Sequence, residues 1–158
     1  MNNMKGVFIG FIAGVIGMGA TMWLIMPHLM LTTHESRFAD IEQTTMALRT
    51  AIETNGWTCP AVRNMTTSLA KQGVVLGQPI QIVELCKATY AKEVLTANPE
   101  MSTLMPCAWG VYQKDGKVFI TGMNTRLMGK LFGGTIARVM GGSVAQDEAA
   151  ILKQVIRP

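Results

Sequence analysis

The opening of the chain limits what the remainder can become. From Val7 to Leu31 the only clearly polar side chains are Thr21 and His28, and a helix of about 20 apolar residues is long enough to cross a bilayer. A secretory leader would carry a shorter apolar stretch followed by small residues at a cleavage site, whereas Trp23 to Leu31 is bulky throughout. We therefore expect a retained transmembrane anchor over residues 1–31 and a separate domain over residues 32–158. The amino terminus and Lys5 precede the span, and basic residues in short flanks stay on the cytoplasmic side. That orientation makes the chain a single-pass inner-membrane protein with its carboxyl-terminal domain in a bacterial periplasm.

Two spacings mark the apolar segment. Gly6, Gly10 and Gly14 recur every four residues, and small residues in that register let two helix backbones approach closely. A helix partner is one reading; the general abundance of glycine in membrane helices is the other. Met18, Met22, Met26 and Met30 form a second stripe at i, i+4. Thioethers in a row can guide a soft metal, although methionine is also an ordinary apolar filler.

Composition narrows the function classes. With 49% hydrophobic and 15% charged residues, the 158-residue chain is too apolar for disorder and suits one core plus an appendage. The net charge of +4 is modest and no basic run is interleaved with aromatics. That excludes nucleic acid as a partner.

Beyond the anchor, a short strand is expected at Leu29 to Thr33. Ser36 can cap a helix that runs to Asn55 and buries Phe38, Ile41, Leu48 and Ile52, with Gly56 as its stop. "GWTCPAV" reads as a strand limited by Pro60. Asn64 can cap a shorter helix ending at Gly73. "PIQIVELCK", with Ile80, Ile82 and Leu85, reads as a buried strand that delivers Cys86, and a helix from Thr89 to Ala97 stops at Asn98-Pro99. A hairpin follows, in which Trp109, Val111, Val118 and Ile120 share the buried face and Asp115-Gly116 makes the turn. Asn124 can cap a helix of Thr125 to Met140 interrupted near Gly133-Gly134. Ser143 can start a last helix, whose Asp147 and Glu148 suit its N-terminal dipole. The order is α+β.

The stretches "ALRTAIETNGW", "SLAKQGVVLG", "IVELCKATYAKEVL", "LMPCAWGVYQKDGKVFITGMN" and "MGKLFGGTIARVMG" together resemble domain-of-unknown-function family 302 in its membrane-tethered bacterial form. The resemblance covers about Leu29 to Ile156. It implies an antiparallel sheet with a helix layer, a two-layer sandwich that commonly pairs as a homodimer, and it implies no established activity. Where many members carry Asn-Pro after the first cysteine, this chain has Lys87-Ala88. In that family cysteines recur together at the positions of Cys86 and Cys107.

Chemistry is expected around sulfur. Cys59, Cys86 and Cys107 would face an oxidising compartment. The pair Cys86 and Cys107 is a disulfide candidate, a metal or haem site, a pair of small core residues, or a source of one catalytic thiol. Met101, Met105 and Cys107 put three sulfur donors within seven residues, and such donors select Cu(I) or serve haem iron axially. Met65, Met123, Met128 and Met140 can add to the lining. No C-x-x-C-H sequence exists for covalent haem, so any haem would be held non-covalently, with His28 or His34 as axial ligand. For a thiol enzyme the available bases are His34 and carboxylates such as Glu84, whose charge would suppress the Cys86 thiolate. Gly133-Gly134 and Gly141-Gly142 fit no phosphate-binding pattern and read as a helix interruption and a helix stop.

The leading expectation is a membrane-anchored accessory or electron-transfer protein, not an enzyme, whose outer domain dimerises and binds a redox group, either non-covalent haem or a soft metal. A structural subunit of a larger membrane complex is the alternative. A thiol-dependent enzyme is the third.

Overall fold

Turn chemistry organises the sheet. Asp115 and Gly116 take positive φ values of 51° and 73°, as a two-residue hairpin turn requires, and join strands Cys107–Lys114 (β4) and Lys117–Met123 (β5). On its free side β5 receives Leu31–Glu35 (β1), while β4 receives Ile80–Leu85 (β3), which pairs in turn with Val62–Asn64 (β2). The result is one antiparallel sheet in the order β1-β5-β4-β3-β2. This computed structural model describes residues 14, 15, 17–19, 21–26 and 28–158.

Strand alternation then sets the core. Val83 pairs with Trp109, and Val111 lies between Gln81 and Ile120, so these side chains share one face and all are buried. Trp109 lies across Gly122, where a methyl group would come within 2.3 Å of the indole. Helix Ile41–Thr54 (α1) lays Ile41, Leu48 and Ile52 into the core, packs against β3 and β4, and also contacts Ala145–Leu152 (α6). Four further segments complete the helical part: Met65–Ala70 (α2), Ala88–Ala97 (α3), Thr125–Phe132 (α4) and Gly134–Arg138 (α5). A 3-10 turn spans Pro99–Leu104, and a π-helical stretch, Val139–Val144, runs straight into α6. The fold is α+β, a five-stranded antiparallel sheet with helices, and the expected hairpin face, the Asn64 cap and the Asn124 cap are all present.

Several local expectations are corrected. Asp40, not Ser36, caps α1 by accepting the Gln43 N–H at 2.8 Å. Ser36 is buried instead, 2.9 Å from the Thr44 hydroxyl and accepting the Phe38 N–H. The segment around Cys59 makes only an isolated bridge, Thr58 to Cys86, and β2 begins after Pro60. In β3 the residues facing the core are Gln81, Val83 and Leu85, with Ile80 and Ile82 half-buried on the other face. Leu85 lies inside as expected, whereas Ile80 and Ile82 fall on the opposite side of the pleat, and Gln81 is kept inside by its amide, which donates to Glu42.

The carboxyl-terminal glycines serve a different end from the expected helix stop. Gly141 is wrapped in the π-helical stretch because it packs against Gly129 of α4: a Cβ at Gly129 would lie 2.6 Å from the Gly141 Cα. Among the described residues no helix is long and apolar enough to cross a membrane. Those between 14 and 30 are helical, with Met18, Met22, Trp23 and Leu24 exposed. Gly6 and Gly10 lie outside the described residues, and a Cβ at Gly14 would meet nothing within 4 Å.

The Gly129–Gly141 crossing makes a direct prediction. Gly129→Ala forces backbone apart and should destabilise the fold by about 1–3 kcal/mol, whereas Gly142→Ala, whose nearest neighbour would be 3.9 Å away, should change stability by less than about 1 kcal/mol. Urea denaturation of the two variants against the parent measures both.

Candidate functional site: a sulfur-lined cavity beside a buried carboxyl

Two residues next to each other in α6 take opposite environments. Asp147 Oδ2 accepts from Lys87 Nζ at 2.8 Å, from the Trp57 indole N–H at 3.1 Å and from the Tyr90 hydroxyl at 3.3 Å. Lys87 also lies 4.6 Å from the centre of the Tyr90 ring, within cation–π range. Burial works to raise the Asp147 carboxyl, but the hydrogen bonds from Lys87, Trp57 and Tyr90 together outweigh it and hold the group below the usual carboxylate range. Lys87 thus supplies the cation for this cluster.

Glu148, about 100° further round the helix, points into the interior. It is 8% exposed, and its Oε2 accepts the Thr125 hydroxyl at 2.8 Å. Burial pushes this carboxyl up to about 7, with the Thr125 hydrogen bond pulling weakly the other way. It borders two cavities. One, of about 210 Å³, opens toward β1 and includes His34 and Arg126. The other, of about 230 Å³, is lined by Met105, Cys107, Met123, Met128 and Met140.

The sulfur lining follows from the fold. Met128 and Met140 each precede one of the two touching glycines, Gly129 and Gly141, so the close crossing delivers both thioethers to one space. Met123 ends β5, and Met105 and Cys107 flank Pro106 at the start of β4. Burial, then Glu148, then Cys86, drives the Cys107 thiol up to about 12. At neutral pH it is a protonated thiol, which is a poor nucleophile.

The structure sorts the sequence candidates. Met105 and Cys107 lie on the sulfur cavity and also share a narrow cleft with Cys86. Cys59, Cys86 and Cys107 are all free thiols in this structure, and the strand register pairs Cys107 with Leu85, next to Cys86. Met101 is buried in the core, 3% exposed, on the 3-10 turn. Met65 begins α2, away from the cavity lining. His34 faces the neighbouring cavity, while His28 is exposed on the helical segment before β1. Glu84 is taken up by Arg63 at 2.7 Å and is not a base for Cys86. Among the described residues no group of three or more His, Cys, Asp or Glu side chains is gathered to hold a metal. Any metal at this site would rest on thioethers together with Cys107.

Glu148 and Asp147 were read from the sequence only as partners of a helix dipole. A signal for Glu148 does exist: positions 144, 148, 151 and 155 follow helical spacing, and Val144, Ile151 and Val155 are core residues.

Fold and lining define the class: an α+β domain in which a five-stranded antiparallel sheet and its helices enclose a sulfur-lined cavity beside a buried carboxyl. The chain belongs to the family described as Domain of unknown function DUF302, whose profile matches residues 32–157. It is similar in fold to the crystal structure of an uncharacterized conserved protein DUF302 from Bacillus stearothermophilus. That likeness has a TM-score of 0.71 at 20% identity and covers 80% of this chain and 98% of the other. No functionally curated protein matches the chain.

The raised Glu148 carboxyl predicts a pH dependence. Its folded pKa of about 7 lies above the ordinary 4.5 of a glutamate, so the folded state binds the proton more tightly and stability falls as pH rises from about 4.5 through 7. Linkage puts the full loss at about 3 kcal/mol. Denaturation at pH 5 and pH 8 should show that loss in the parent and a much smaller one in Glu148→Gln.

Proposed function

We propose that this protein is a membrane-tethered periplasmic accessory or electron-transfer component, in which residues 1–31 are the anchor and residues 32–158 form a dimerising domain that binds a soft metal ion, Cu(I) in class. One observation carries the metal reading: Met105, Cys107, Met123, Met128 and Met140 line a single cavity of about 230 Å³. Thioethers and thiol are soft donors and select Cu(I) over hard cations. A cation entering this space also displaces the proton that burial otherwise keeps on Cys107, because metal binding lowers the affinity of a thiol for its proton.

The cavity size favours an ion over haem. Pockets for drug-sized ligands run to about 300–1,000 Å³, and this one is smaller. The anchor reading is supported by the apolar side chains of Met22, Trp23 and Leu24, which stand exposed beside the domain as lipid-facing residues would. The thiol-enzyme reading loses support from the protonated state of Cys107.

A titration tests the metal. Full-length protein in mild detergent, kept anaerobic and reduced, should take one Cu(I) per chain from a chromogenic chelator. The variant Met105→Leu/Met123→Leu/Met128→Leu, which preserves side-chain volume, should bind at least about tenfold more weakly. Failure to compete with the chelator, or equal binding by the variant, would contradict the proposal. Protease that cuts the domain only from the cytosolic side would overturn its location.

A further inference from the structure

The helix that follows the hairpin starts where the apolar segment ends. Asn124 donates its backbone N–H to the Met30 carbonyl at 2.8 Å and its side-chain amide to the Leu29 carbonyl at 3.0 Å. The same side chain accepts the Leu127 N–H at 3.0 Å and so caps α4. One residue thus clasps the last turn of the apolar helix and opens the next one. Over its eight residues α4 extends about 12 Å from that clasp.

Its surface chemistry is unusual for this domain. Arg126 and Lys130, four residues apart, are both exposed on α4, and neither is in an ion pair among the described residues. The helix carries no acidic residue. At its far end Leu131 and Phe132 are 56% and 58% exposed. Gly133 and Gly134, with φ of 69° and 52°, then turn the chain sharply and leave those two side chains at a corner. Exposed basic residues beside apolar ones that stay more than half exposed are the pattern of a helix that lies in a lipid interface.

We infer that α4 is a second membrane contact: Leu131 and Phe132 insert at the boundary between headgroups and acyl chains while Arg126 and Lys130 pair with anionic phospholipid headgroups. This rests on the anchor reading, because the Asn124 clasp holds α4 close to the bilayer only if the preceding helix spans it. The two contacts fix the tilt of the domain, and with it the direction in which the cavity beside Arg126 and His34 faces.

The test uses full-length protein in nanodiscs of phosphatidylcholine, with or without phosphatidylglycerol, doped with a phospholipid that carries a photoactivatable diazirine on its acyl chain. Mass spectrometry then maps the adducts. Adducts are expected on residues 21–30 and on Leu131-Phe132, the latter falling about fivefold or more when phosphatidylglycerol is omitted or in Arg126→Glu/Lys130→Glu. Circular dichroism confirms that the variant is folded. Adducts on residues 21–30 with none on Leu131-Phe132 would overturn the second contact and leave the anchor intact. Adducts on Leu131-Phe132 that ignore both lipid charge and the reversal would overturn the pairing with headgroups. Absence of protein from the floated nanodiscs would overturn the anchor reading and this inference with it.

Discussion

The Asp147 carboxylate is the fastening on which the site depends. It ties α6 to the Trp57 indole, shortly after α1, and to Lys87 and Tyr90 at the start of α3, through three donors that converge on one oxygen. Hydrogen bonds to a charged group of this kind are worth about 1.5–3 kcal/mol each, enough to fix the rotation of a short helix. With Asp147 held on one side, the next residue has no choice but the interior. Glu148 is therefore buried by consequence of its neighbour, and Thr125 gives it a partner there.

A second constraint, the contact of Gly129 with Gly141, works on the opposite wall. It brings α4 and the π-helical stretch into backbone contact and sets Met128 and Met140 on the same side of the space. Soft thioethers, a buried carboxyl and a thiol that does not ionise by itself thus line one cavity. Such a lining offers little to a nucleophilic mechanism. It is the donor set that the proposed soft cation would use, with sulfur in place of water and the carboxylate to balance charge.

Much of the fold was legible in the sequence because it rests on local chemistry. The Asp115-Gly116 turn needs positive φ, Asn64 and Asn124 cap by their own side chains, and Trp109, Val111, Val118 and Ile120 alternate cleanly. The misread elements are those decided by tertiary contacts. Gln81 faces inward because Glu42, on a distant helix, receives its amide, and Ser36 yields its capping role to Asp40 because Thr44 draws it inside. Gly141-Gly142 resembles a helix stop until Gly129 is known to lie against it. At the site, the sulfur residues were visible by composition, whereas Glu148 was masked by an adjacent acid with a plausible surface role.

The most direct measurement is a carbon-13 methyl spectrum of methionine-labelled full-length protein, titrated with Ag(I) as a redox-inert stand-in for Cu(I). The account predicts that the methyl signals of Met105, Met123, Met128 and Met140 shift together and saturate at one ion per chain, while those of the exposed Met46 and of Met65 on α2 stay in place. Shifts confined to methionines outside the cavity, or no saturable shift at all, would contradict it.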